Sequence, residues 1–200
     1  MACDAAPQGA AEVALMWHSD RPSRQGGAEG NYSARVSDLS LDGLNVAEPQ
    51  LAERALLACC AARRWADELV VRRPYHDLQT LEQVSDAVFA ELTWADIQQG
   101  LAAHPRIGDR PRADSREAAW SRDEQSAATG QLDDQLRAGN LAYEERFGHV
   151  FLICATGLPA RSILDNLSTR LRNDEQTERD VVREELRKIA ALRLRKLVGS

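Results

Sequence analysis

Two short blocks near the middle of this chain hold side chains that could move a proton. The first, His104-Pro105-Arg106-Ile107-Gly108-Asp109, sets an imidazole directly before a proline. The second, Ser121-Arg122-Asp123-Glu124-Gln125, sets a carboxylate three residues after a serine. Proline disfavours helical geometry at the residue before it, so a helix leading into the first block should close on His104. There the imidazole would lie in the negative end of the helix dipole, which predicts a raised pKa suited to an acid or a proton shuttle. The bland alternative is a histidine that ends a helix and faces solvent. Ser121 and Glu124 have capping-box spacing, which by itself accounts for both side chains. With Glu124 facing a cavity, the free N–H groups of the same helix start would form a site for an anion or a carbonyl.

A guanidinium near the C-terminus is the third candidate. At helical spacing Val182, Leu186, Ile189, Arg193 and Leu197 share one narrow sector, with Arg193 in its middle and Arg195 on the opposite side. An arginine on a core face keeps its charge and needs an anionic or carbonyl partner, unless it snorkels past the helix end. A small acidic substrate would serve. His18, His76 and His149 sit in weaker contexts: a polar tail, a turn after proline, and a position beside a glycine.

The elements that must carry these groups read as helices. Leu51, Ala55, Leu56, Cys59, Ala62 and Trp65 recur at three- and four-residue steps until Arg73-Pro74 stops the pattern. Thr80 with Gln83 should open a helix through Glu91, and Thr93 with Asp96 another that ends at His104. A polar loop from Gly108 to Arg116 follows, then a short helix opened by Ser121. A longer helix over 132–147 carries Leu136, Leu141 and Tyr143; Pro159 suits the first turn of the next, and a last helix runs from Glu175 to Leu197. One stretch breaks the rhythm. Val150-Phe151-Leu152-Ile153-Cys154 is short, apolar and β-prone, and only Leu69-Val70-Val71 resembles it. Its amides need partners, whether a neighbouring loop, water or an amide-rich substrate, because a buried unpaired group costs about 1–3 kcal/mol.

The expected fold is therefore an all-α, single-domain helical bundle of seven to eight helices with one short extended segment, over residues 39–200. Residues 1–38 are read as a disordered extension, with an upstream start as the other account of them. With 44% hydrophobic and 28% charged residues, most of the chain should fold, and a net charge of −6 argues against a nucleic-acid surface. No run reaches the roughly 18 apolar residues that a membrane span needs. The N-terminus lacks the basic start and apolar core of a secretory signal, and Val198-Gly199-Ser200 is no peroxisomal tripeptide, so a cytoplasmic location is expected. Cys3, Cys59, Cys60 and Cys154 lack metal-ligand spacing and are read as reduced thiols. No motif supports a phosphate loop, a zinc site or a nucleophile elbow, so acid–base and electrostatic chemistry without a metal is expected.

Five blocks taken together resemble the 2-oxo-4-hydroxy-4-carboxy-5-ureidoimidazoline (OHCU) decarboxylase family. They are His104-Pro105-Arg106-Ile107-Gly108, Ser121-x-x-Glu124-Gln125, Tyr143-Glu144-Glu145-Arg146-Phe147-Gly148, Phe151-Leu152-Ile153-Cys154-Ala155 and Leu192-Arg193-Leu194. The likeness covers roughly residues 41–198 and includes Leu57-Ala58-Cys59-Cys60 and Trp65 ahead of Arg73-Pro74. Many members have Asp-Leu after His-Pro, where this chain has Arg106-Ile107. The resemblance implies an all-α, cofactor-independent enzyme, usually a homodimer, that forms (S)-allantoin in urate degradation. It implies His104 as catalytic proton donor with Glu124 beside it. Substrate contacts are implied at Pro105, Ser121, Arg122, Asp123, Gln125 and Arg193, and through backbone groups at Phe151, Leu152, Ile153, Cys154 and Ala155. Two other classes stand beside it: a non-catalytic helical binding module with the same shape, and a ureido-processing hydrolase, for which no water-activating constellation is present.

Overall fold

Eight α-helices carry the described residues, 39–107 and 133–199, of the chain in a computed structural model. They are α1 (Leu41–Val46), α2 (Pro49–Cys59), α3 (Arg63–Val71), α4 (Leu78–Glu91), α5 (Trp94–Leu101), α6 (Asp133–Phe147), α7 (Ala160–Arg170) and α8 (Glu175–Val198). No strand forms among these residues, as the helical periodicity predicted. The 1–38 segment, the Gly108–Arg116 loop and the Ser121 helix start lie outside the described residues.

Four helix starts are fixed by side-chain caps, from Ser40, Asp77, Thr93 and Asp174. Thr93 and Asp96 bond reciprocally as a capping box at the start of α5. Asp174 caps α8 by accepting the Thr177 N–H at 2.9 Å. Three expectations need correction. The helix that opens before Glu91 is capped by Asp77 rather than Thr80, whose N–H donates to the Asp77 carboxylate at 2.7 Å. Pro159 is the N-cap of α7 and precedes its first turn. The run from Leu51 to Arg73 is two helices, because Cys60 is extended (φ −149°, ψ 121°) and Arg63 N–H is satisfied by Gln99 Oε1 at 2.8 Å. A side chain 36 residues away thus supplies the cap that local sequence lacks.

All described residues belong to one compact unit. α8 is its spine, packing against α2, α4 and α5, while α6 packs on α7. Val182, Leu186, Ile189, Arg193 and Leu197 are all buried, as the stripe on α8 predicted. Two apolar clusters result. The larger joins α2, α3, α4 and α8 around Trp65, Leu56, Phe89 and Leu186. The smaller gathers Leu136, Tyr143, Ile163 and Leu167 from α6 and α7. Of the apolar residues carried by α6, Leu136 and Tyr143 are buried, whereas Leu141 is 55% exposed. Among the described residues no helix is long and apolar enough to cross a membrane.

The β-prone stretch after Gly148 runs between the two clusters without a partner strand among the described residues. Leu152 and Cys154 pack with the larger cluster; Phe151, Ile153 and Ala155 join the smaller. That alternation is the period-two signature of an extended chain. Gly148 enters the segment at φ +74°, a left-handed conformation that suits glycine. Leu69-Val70-Val71, which looked similar in sequence, ends α3 as helix.

Candidate active site

His104 lies just past α5, its N–H bonded to the Leu101 carbonyl at 2.9 Å, so the helix does close on it. It does not face solvent: the residue is only 7% exposed. Nδ1 is 3.0 Å from the Gly100 carbonyl. A carbonyl can only accept, so this contact assigns the proton to Nδ1 and leaves a lone pair on Nε2. Nε2 is buried and has no hydrogen-bond partner among the described residues. A buried bare nitrogen of this kind calls for an explanation, and a ligand proton is one.

The expected rise in the His104 pKa is reversed. Burial, helped by the nearby Arg193 charge, pushes it down to about 4, against a smaller upward pull from the Gly100 carbonyl. Removing an imidazolium from water outweighs a dipole at a short helix end. At neutral pH this imidazole is therefore uncharged and presents an acceptor, not a proton to give. Space is tight at this corner: a Cβ on Gly100 would lie 2.8 Å from Leu186 Cδ2, so a larger residue there would require Leu186 to shift.

Arg193 is 2% exposed and its Nη1 donates to the Cys59 carbonyl at 3.3 Å, so the guanidinium is buried with a carbonyl partner and does not snorkel. Cys60 lies in the same corner, and burial pushes its thiol up to about 11. It is a neutral packing group at pH 7, in keeping with the reading of reduced thiols; Cys59, Cys60 and Cys154 form no disulfide among the described residues. Pro105 is half-buried beside His104. Arg106 departs from the Asp-Leu pattern, and it forms a two-pronged ion pair with Glu144 of α6, with Nη2 2.6 Å from Oε2. Asn140 fixes the next residue by donating to the Ile107 carbonyl at 2.9 Å. Two side chains of α6 thus pin the chain immediately after His104-Pro105.

A cleft of about 260 Å³ opens beside His104, with Gln98, Leu101 and Ala102 on one wall and Gly148, His149 and Val150 on the other. Phe151–Ala155, expected as the substrate grip, continues from that second wall without lining this cleft. Phe151, Leu152, Ile153 and Ala155 are buried, and Cys154 is half-buried. His149 stands edge-on to Tyr143 and Trp94 and stacked on Phe147, and burial lowers its pKa. Ser121, Arg122, Asp123, Glu124 and Gln125 lie outside the described residues. His104 and Arg193 are thus brought together from helices far apart in sequence.

A buried ionic cluster was not anticipated. Arg170 pairs with Glu178 at 2.6 Å, both side chains almost fully enclosed. Glu178 also accepts from the Tyr143 hydroxyl and from Asn173 Nδ2, the latter at 2.8 Å. The Arg170 guanidinium covers the Phe151 ring at 4.7 Å. The signal was available: the stripe that marked Arg193 extends back one turn from Val182 to Glu178, a carboxylate on the same core face.

A family model for OHCU decarboxylase matches residues 45–195. The chain is 32% identical over 131 residues to 2-oxo-4-hydroxy-4-carboxy-5-ureidoimidazoline decarboxylase of Amia calva, covering 63% of this chain and 75% of that protein. It is 28% identical over 154 residues to the uric acid degradation bifunctional protein TTL of Arabidopsis thaliana, covering 74% of this chain and about half, 48%, of that longer one. Among solved structures it superposes on an OHCU decarboxylase crystallised in the presence of (S)-allantoin with a TM-score of 0.64 and 25% identity, over 77% of this chain and 100% of that one. A match to (S)-allantoin synthase, with a TM-score of 0.57 at 17% identity over 80% of this chain and 54% of the other, supports the fold. With its helical architecture and a family match spanning most of its length, the chain belongs to the OHCU decarboxylase family.

Proposed function

We propose that this chain decarboxylates 2-oxo-4-hydroxy-4-carboxy-5-ureidoimidazoline to (S)-allantoin without a cofactor, acting as a cytoplasmic homodimer in urate degradation. The observation that carries the reading is the buried Nε2 of His104 at a cleft wall, without a hydrogen-bond partner among the described residues and with a buried guanidinium nearby. The substrate's name describes the chemical problem. One ring carbon bears both hydroxyl and carboxylate, and its neighbour bears the ureido group. Loss of carbon dioxide leaves an electron pair that delocalises towards that neighbour, and a proton delivered to one face there sets the handedness of the product.

A neutral His104 suits the first half of that sequence. Nε2 takes the hydroxyl proton while the anion develops, the imidazolium so formed returns a proton to carbon, and one further proton from solvent neutralises the charge left by the departed carboxylate. Glu124 shares this proton handling. Arg193 stabilises the negative charge, most strongly where water is excluded. Pro105, Ser121, Arg122, Asp123 and Gln125 contact the substrate, and backbone groups of the Phe151–Ala155 segment grip the ureido arm and fix its orientation.

The test is chirality, because a reactive substrate can yield product without an enzyme's hand. Freshly generated substrate is added and circular dichroism of the product is followed. The parent should give (S)-allantoin, and His104→Ala should lose roughly 10²–10⁴-fold in kcat/KM. A His104→Ala protein with parental rate and parental product handedness overturns the assignment. Light scattering on the purified chain checks the dimer.

A further inference from the structure

We infer that Glu185 and Arg170 are positioning residues that hold the 150–155 segment by one edge at a set register; this rests on the function proposed above. Among the described residues no strand lies beside the segment, so none of them supplies a ladder to fix its register. Two side chains do so instead. Arg170 Nη1 donates to the Leu152 carbonyl at 2.5 Å. Cys154 N–H donates to Glu185 Oε2 at 2.7 Å. In an extended chain, amides two residues apart point to the same edge, so both hooks fall on one side. The amides of Phe151 and Ile153 belong to the other edge and form no hydrogen bond among the described residues.

The Arg170 hook is braced from behind. Arg170 is held by Glu178, itself bonded to Tyr143 and Asn173. Glu185 Oε1 accepts from Lys188 Nζ at 2.8 Å. The segment leaves the cleft wall at Val150, which faces the same cleft as His104. Its register therefore sets where the free amides stand relative to the imidazole. A slip of one residue would exchange the bonded and free edges and swap the side chains between the two clusters. Precise placement of binding groups of this kind depends on such supporting contacts.

Glu185 offers the cleaner test, because removing it leaves no buried charge behind. Four proteins are compared on fresh substrate and by calorimetric titration with (S)-allantoin: the parent, Glu185→Ala, Glu185→Gln and Lys188→Ala. Glu185→Ala should raise KM and weaken (S)-allantoin binding by on the order of tenfold, with lower enantiomeric purity of product and an unchanged far-ultraviolet spectrum. Glu185→Gln keeps an acceptor for Cys154 N–H and should recover to within about threefold of the parent. Lys188→Ala removes the ion pair but not the hook, and should stay within about twofold of the parent. Glu185→Ala with parental KM, binding and product purity overturns the inference and leaves the proposed function standing. A parent that neither turns over substrate nor binds (S)-allantoin overturns both.

Discussion

The larger apolar cluster encloses the Ser85 hydroxyl, which accepts from Trp65 Nε1 at 3.0 Å, and borders the buried Arg193, but is mostly aliphatic, aromatic and thiol side chains. The smaller cluster adjoins a buried arginine, a buried glutamate and Asn140, all tied to backbone or to one another. Between them runs a segment with no strand partner among the described residues. The difference shows a division of labour. Burial of apolar area stabilises the α2–α3–α4–α8 half at about 25 cal/mol per Å², without regard to direction. The ionic cluster contributes little net stability against an apolar substitute, but its hydrogen bonds are directional and place particular atoms.

That contrast can be broken from either side. Arg170→Met should cost about 3–5 kcal/mol, because Glu178 is left buried without its cation, and should also raise KM as the Leu152 hook is lost. Adding Glu178→Leu should restore much of the stability and none of the KM. Urea melts and steady-state kinetics on the single and double variants check both halves of the statement. Leu56→Ala, in the larger cluster, should cost about 2–5 kcal/mol with kcat/KM of the folded protein unchanged. An equal kinetic penalty in Leu56→Ala would dissolve the distinction.

Acidification probes the boundary where His104 sits. Its folded pKa, about 4, lies below the ordinary 6.5, so the unfolded chain binds the extra proton first. Stability is complete above about pH 6.5 and is lost as pH falls towards 4, by roughly 3 kcal/mol for this group. His149, also lowered, acts in the same direction. Denaturation of the parent and His104→Gln across this range should show a shallower slope in the variant. The smallest effect belongs to Arg106→Ala. Its pair with Glu144 holds that carboxyl below the usual range, but Arg106 is 42% exposed, so the loss should stay near 1 kcal/mol or less in thermal melts.

The legibility of this chain follows the same division. Periodicity marked the buried face of α8, Arg193 included, because a helix repeats its facing residues at a spacing that any window of sequence reveals. The Thr93–Asp96 box was equally local. The break at Cys60–Ala62 was hidden, since its cap comes from Gln99 on another helix. His104 was identified as a residue but given the wrong charge preference. The dipole at a helix end can be read from neighbours in sequence, whereas desolvation and the Arg193 field depend on what folds over the site.

Residue order alone was enough for the all-α class, for most helix positions and for the imidazole and guanidinium worth examining, because these follow from interactions within a few turns of chain. The protonation of His104, the two-core path of the 150–155 segment and the Arg170 and Glu185 hooks emerged on folding. Those depend on burial and on contacts between residues far apart in sequence, and no local pattern encodes either.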